Sequence, residues 1–120
     1  MKKVLIVEDQ EDIREVIRIT LELEDYELHD AANGEQGLRL AHQLRPDLVL
    51  SDVMMPGMDG LALCRQIKTD PSLKRTRVVL LSARGRAEDR AAGAQAGCDA
   101  YLAKPYGPLD LLNTVRRVIG

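Results

Sequence analysis

The sequence predicts an α/β fold in which five parallel strands form one doubly wound sheet with helices on both faces. Three observations point there. Short apolar runs rich in branched residues occur at Lys3 to Val7, Leu48 to Ser51 and Val78 to Ser82, each too brief for a helix and bounded by polar residues or Pro. Segments with helical periodicity lie between them. The connections from strand to strand are too long for hairpins, which calls for parallel pairing and crossover helices above and below the sheet.

The first strand, Lys3 to Val7, is followed by a helix from about Gln10 to Leu23 whose apolar stripe is Ile13, Val16, Ile17, Thr20 and Leu21. A weaker run, Glu27 to Ala31, supplies the second strand. Gly34 to Leu44 is the second helix, with Leu38, Ala41 and Leu44 inward and Pro46 closing it. Leu48 to Ser51 reads as a fully buried strand. The third helix begins at Asp59 or Gly60, turns Leu63, Cys64 and Ile67 inward, and stops before Asp70-Pro71. After Val78 to Ser82 comes an Ala-rich helix, Ala87 to Ala96, with Gly93 inside it and Gly97 at its end, a composition that packs closely at modest intrinsic stability. Asp99 to Ala103 supplies the last strand. The fifth helix opens with Pro108, a favoured first residue, and runs through Leu112, Val115, Val118 and Ile119.

With 120 residues, 45% hydrophobic and 30% charged, the chain is large enough for one core and too small for two, so residues 1–120 are expected to form a single domain. Phe and Trp are absent, which leaves an aliphatic core and the three tyrosines Tyr26, Tyr101 and Tyr106. A net charge of −2 carries no basic footprint, so direct nucleic-acid binding is not expected of this segment. The opening apolar run, Val4 to Val7, is far shorter than a signal peptide or membrane span, and a cytoplasmic protein without membrane contact is expected. Cys64 and Cys98 have no partner at metal-ligand spacing and read as small core residues. His29 and His42 read as surface or strand-packing side chains.

In open parallel sheets, ligands gather outside the carboxyl ends of the strands. The residues at those ends are Glu8 and Asp9 after the first strand, Asp52 at the third, Ser82 and Ala83 at the fourth, and Lys104-Pro105 after the fifth. Singly, each has a bland alternative: a solvated turn, a helix cap, a surface cation. Together they bring three acids, a hydroxyl and an ammonium to one edge. Asp52, delivered there by an apolar run and followed by Met54-Met55-Pro56-Gly57, is the best-placed nucleophile.

These residues stand in Leu5-Ile6-Val7-Glu8-Asp9, Pro46-Asp47-Leu48-Val49-Leu50-Ser51-Asp52-Val53-Met54-Met55-Pro56-Gly57-Met58-Asp59-Gly60, Leu81-Ser82-Ala83, Ala96-Gly97-Cys98-Asp99-Ala100-Tyr101-Leu102 and Lys104-Pro105-Tyr106. In that order, and over essentially the whole chain, they resemble a response-regulator receiver domain of bacterial two-component (phosphorelay) signalling. The resemblance implies a flavodoxin-like (βα)5 fold with strand order 2-1-3-4-5. It implies that Asp52 accepts a phosphoryl group from a sensor histidine kinase, a histidine phosphotransfer protein or a small phosphodonor, as an acyl phosphate. Mg2+, for which Mn2+ substitutes, would be held by Glu8, Asp9, Asp52 and the main-chain carbonyl of Met54, and Lys104 and Ser82 would meet the phosphoryl oxygens.

Further implications concern the switch. Ala83 leaves the phosphoryl pocket open, and the Lys104-Pro105 bond would be cis. Modification adds about −1.5 to −2 charges at Asp52; Ser82 would be drawn toward them and Tyr101 would turn inward, altering the face built by Ala87 to Ala96, Ala100 to Ala103 and Pro108 to Val118. That face would engage a downstream partner, a C-terminal output domain or a second copy of the chain. Met54 and Arg84 flank the entrance and are expected to set the lifetime of the acyl phosphate. On this reading the domain is no enzyme toward other substrates, catalysing its own phosphotransfer and slow autodephosphorylation. Two rivals share the fold: a non-phosphorylatable interaction scaffold, and a phosphatase with an aspartyl nucleophile. The phosphatase would need a second acid where Met54 stands. A dinucleotide site is disfavoured because Glu8-Asp9, and no Gly-x-Gly-x-x-Gly, follows the first strand.

Overall fold

The computed structural model describes residues 1–83 and 87–120. Its strands are β1 Lys2–Val7, β2 Tyr26–Ala31, β3 Leu48–Asp52, β4 Arg77–Ser82 and β5 Ala100–Ala103, and its helices are α1 Glu11–Leu21, α2 Gly34–Leu44, α3 Gly60–Lys68, α4 Ala87–Gln95 and α5 Pro108–Ile119. The strands pair in parallel in the order β2-β1-β3-β4-β5, the order that the resemblance implies.

Side chains alternate across the sheet and so build two cores. Val4, Ile6, Leu48, Leu50, Val79 and Leu81 point to the layer of α1 and α5, where they meet Ile17, Leu21, Leu111 and Val115. Leu5, Val7, Val49, Val78 and Leu80 point the other way, to Ala41, Leu63, Cys64, Ile67 and Ala96. The central strand β3 is buried at all five positions, which is why it reads as an unbroken apolar run ending in a charge. The edge strands β2 and β5 are only half-buried and carry the weaker signal.

Polar caps set where the helices begin. The Asn33 side chain accepts the Gln36 N–H at 2.8 Å to open α2, and the Asp59 carboxylate accepts the Ala62 N–H at 2.8 Å to open α3. After α3 a short 3₁₀ turn, Pro71–Leu73, lies between it and β4; Asp70 caps it, and its Leu73 is buried in the core.

Two expectations need correction. Val16 is 63% exposed, and the inward line of α1 is Ile13, Ile17 and Leu21. A residue next to Ile17 in sequence lies about 100° around the helix from it, beyond the reach of the sheet below. Cys98 is half-buried because it sits in the turn after α4, whereas Cys64 is fully buried and burial pushes its thiol up to about 12. The histidines keep to the surface or strand-packing places expected of them, each against an acid, Glu27 at 2.7 Å from His29 and Asp70 at 2.6 Å from His42.

Candidate functional site: an acidic pocket at the carboxyl end of the sheet

The strand registers bring the chemistry together. Val7 pairs with Ser51, so Glu8 follows level with Asp52; Asp52 pairs with Leu81, so Ser82 stands one residue farther out; Ser82 pairs with Ala103, so Lys104 is next. The Lys104 N–H donates to the Ser82 carbonyl at 2.7 Å, and the Lys104-Pro105 peptide bond is cis. Lys104 Nζ lies 2.8 Å from Asp52 Oδ1 and 4.0 Å from Glu8 Oε1.

Oxygens of Glu8, Asp9 and Asp52 all lie within 4.8 Å of one another. Glu8 is 2% exposed and Asp52 6%, while Asp9 faces solvent. Burial, a hydrogen bond with Asp9 and the charge of Asp52 push the Glu8 carboxyl from 4.5 to about 7. The folded protein therefore keeps a proton that the unfolded chain gives up near its ordinary value. Its stabilising contribution is complete below about 4.5 and is lost as the pH rises through about 7. The melting temperature of the metal-free protein should fall by several degrees between about pH 5 and about pH 8, and Glu8→Gln should flatten that slope, as thermal unfolding across the range will show.

Neighbouring elements fix the pocket's walls. An Arg14 N–H from α1 donates to the Glu8 carbonyl at 2.8 Å, and the Gln10 N–H donates to Glu8 Oε2 at 3.3 Å. Beyond Asp52 the chain turns through residues 53–59 into α3. The Val53 N–H bonds to the Leu81 carbonyl at 2.8 Å, and the Gly60 N–H to the Val53 carbonyl at 2.9 Å. Gly60 lies so close to β3 that a Cβ would strike the Asp52 carbonyl.

A family model described as the response regulator receiver domain matches residues 4–116. The chain belongs to that family. Among its relatives, the transcriptional regulatory protein ResD of Bacillus subtilis is 37% identical over 98% of this receiver and 48% of its own length. The phosphate regulon transcriptional regulatory protein PhoB of Pseudomonas aeruginosa is 35% identical over 98% of this receiver and 52% of its own length. The chain thus spans about half the length of the curated relatives it matches. Of solved structures, the chemotaxis protein CheY4 of Vibrio cholerae superposes with a TM-score of 0.92 at 35% identity, over 98% of both chains. The receiver domain of the sensor histidine kinase PA1611 of Pseudomonas aeruginosa PAO1 does so with a TM-score of 0.90 at 33% identity, covering 99% of this chain and 98% of its own; it has a magnesium ion coordinated in its active-site cleft.

Within this receiver, Glu8, Asp9, Asp52 and Lys104 converge; Ser82 ends β4 almost fully buried, and Ala83 follows it, exposed. Met54 is 56% exposed at the rim, and Arg84 lies outside the described residues. Tyr101 is half-buried; its ring packs beside Gly93 of α4 and lies 5.4 Å from the Arg90 guanidinium, a cation–π distance. Three residues near the pocket were missed from sequence. Arg14 holds the Glu8 carbonyl. Tyr106 is close enough that its phenol is raised by burial and further by Asp52 and Glu8. Glu35 of α2 accepts a backbone N–H from the loop after β3. An acid in a helix's first turn is an ordinary dipole partner, so no signal in the sequence distinguished Glu35. Among the described residues, no helix is long and apolar enough to cross a membrane.

Proposed function

We propose that this receiver takes a phosphoryl group onto Asp52 in a Mg2+-dependent reaction and uses it to switch its α4-β5-α5 face. The observation that carries the reading is the contact of Lys104 Nζ with Asp52 Oδ1 at 2.8 Å inside a cluster of three carboxylates. Three acids against one ammonium leave an excess of negative charge, and one like-charge pair at ~4 Å costs roughly 4 kcal/mol at an effective dielectric of about 20. A hard divalent cation bound by oxygens suits that donor set. Glu8, Asp9 and Asp52, with the Met54 carbonyl, would hold Mg2+, which when bound offsets charge on the carboxylates and on the incoming phosphoryl group.

The remaining work falls to side chains. An Asp52 carboxylate oxygen attacks phosphorus as the bond to the donor's imidazole nitrogen breaks, leaving an acyl phosphate. Lys104 exchanges its contact with the carboxylate for one with the phosphoryl oxygens, and Ser82 donates to another of them. Catalysis here is positioning and charge neutralisation. Ser82 and Tyr101 then carry the change along β4 and β5 to α4, where the Tyr101 ring already sits. The donor is a sensor histidine kinase or a histidine phosphotransfer protein, and the reader is a partner protein, an output domain or a second copy of the chain; this is cytoplasmic chemistry. Exposed and apolar, Met54 cannot orient an attacking water, which favours a long-lived acyl phosphate.

The test is incubation with acetyl phosphate, with Mg2+ or with a chelator, followed by intact mass. A gain of about 80 Da, one phosphoryl group, is expected only with metal. Lys104→Ala should slow that gain about 100-fold or more. No gain on the native chain would return the domain to the scaffold reading.

A further inference from the structure

We propose that Glu35, on the first turn of α2, is a positioning residue for the acyl-phosphate pocket: it clamps the loop of residues 53–59 that forms the pocket's rim. The inference rests on the phosphoacceptor reading above. Glu35 Oε1 accepts the Met58 N–H at 2.8 Å, joining residues 23 apart in sequence. A carboxylate serving only the dipole of its own helix needs no such partner. The bond holds the Glu35 carboxyl below its ordinary value, so the acceptor is ionised at neutral pH and the hydrogen bond is charge-assisted.

Sterics point the same way. Gly57 has φ 73°, in the left-handed region, and a Cβ on it would stand 2.8 Å from Glu35 Oε1. The left-handed backbone favours glycine there, and a side chain at that position would have to push the Glu35 carboxylate aside, away from the Met58 N–H. Gly34, one residue before Glu35, abuts the Met58 carbonyl and side chain. At its far end the loop is held by Asp59, which caps α3, and by the Gly60 N–H to the Val53 carbonyl. Met54 lies between these fixed points, two residues past the nucleophile. Releasing Met58 frees the rim and, with it, the main chain that would hold the metal.

The experiment compares the native chain, Glu35→Ala, Glu35→Gln and Gly57→Ala by amide hydrogen exchange at Met58, Mg2+ titration, and the rate of Asp52 phosphorylation by acetyl phosphate. Glu35→Ala should speed Met58 exchange about tenfold or more, and weaken Mg2+ binding and slow phosphorylation each by about three- to tenfold. Glu35→Gln keeps an oxygen for the N–H and should stay within about twofold of native in the two functional readouts. Gly57→Ala should reproduce the Glu35→Ala losses, and its effect should shrink in the Glu35→Ala background because the steric partner is gone. Unchanged Met58 exchange in Glu35→Ala would overturn the clamp. Faster exchange with Mg2+ affinity and phosphorylation unmoved would overturn its positioning role. If the native chain takes up no phosphoryl group, the phosphoacceptor reading fails separately, while exchange and Mg2+ affinity still decide the clamp.

Discussion

Replacing Asp52 with Asn is expected to abolish phosphoryl uptake, leaving no mass gain under conditions that label the native chain completely. The amide lacks the anionic oxygen that forms the acyl phosphate, and no other carboxylate in the pocket has the same placement. Asp9 is solvent-facing, and Glu8 holds its proton up to about pH 7, which makes it a poor nucleophile. The same change should leave the fold intact, because an Asn oxygen can still accept from Lys104 Nζ, now 2.8 Å from Asp52. It should also ease ionisation of Glu8 by removing a neighbouring charge, so the stability loss on raising pH should shrink and end at a lower pH than in the native chain. Labelling of the Asn variant equal to native would place the phosphoryl group elsewhere and sink the assignment.

Gly60→Ala is expected to be the most damaging Gly→Ala change among the described glycines. In an ordinary helix, Gly→Ala gains about 1 kcal/mol. At Gly60 the new Cβ would strike the Asp52 carbonyl and lie 2.9 Å from the Val53 Cα, backbone atoms held within β3 and its exit. Helix and strand would have to part. A loss of more than about 3 kcal/mol, or more than about 10 °C in Tm, is expected by thermal unfolding. Because the collision is with the carbonyl of the proposed phosphoacceptor, Mg2+ affinity should fall even where the variant folds. A Tm within about 3 °C of native would show that the α3–β3 approach is softer than its geometry implies.

What the sequence disclosed follows burial. β3 and β4 lie in the sheet's interior and had to be apolar along their length, so both strands and Asp52 at the end of one were legible. β2 and β5 pair on one side only, and half-buried residues blurred them. The pocket acids, Ser82 and Lys104 could be found because each follows a strand, a relation along the chain. Glu35 and Arg14 act on main-chain atoms far away or around a turn, and side-chain patterns carry no record of such bonds. Val16 was misplaced for a related reason: periodicity gives the width of an apolar stripe without saying how much of it the neighbours cover.

The staggered ladder at the strand ends has a consequence for how this protein tolerates change. Four strands deliver their functional groups at fixed heights, Glu8 level with Asp52 and then Ser82 and Lys104 each a step farther out, and each strand's height is set by which of its apolar residues faces which core. Shifting any one strand by a single residue would turn its apolar set to the opposite layer and aim its acid or cation away from the pocket. The aliphatic interior is therefore the sighting mechanism of the chemistry. Mutations buried far from Asp52 should be read for their effect on aim as well as on folding.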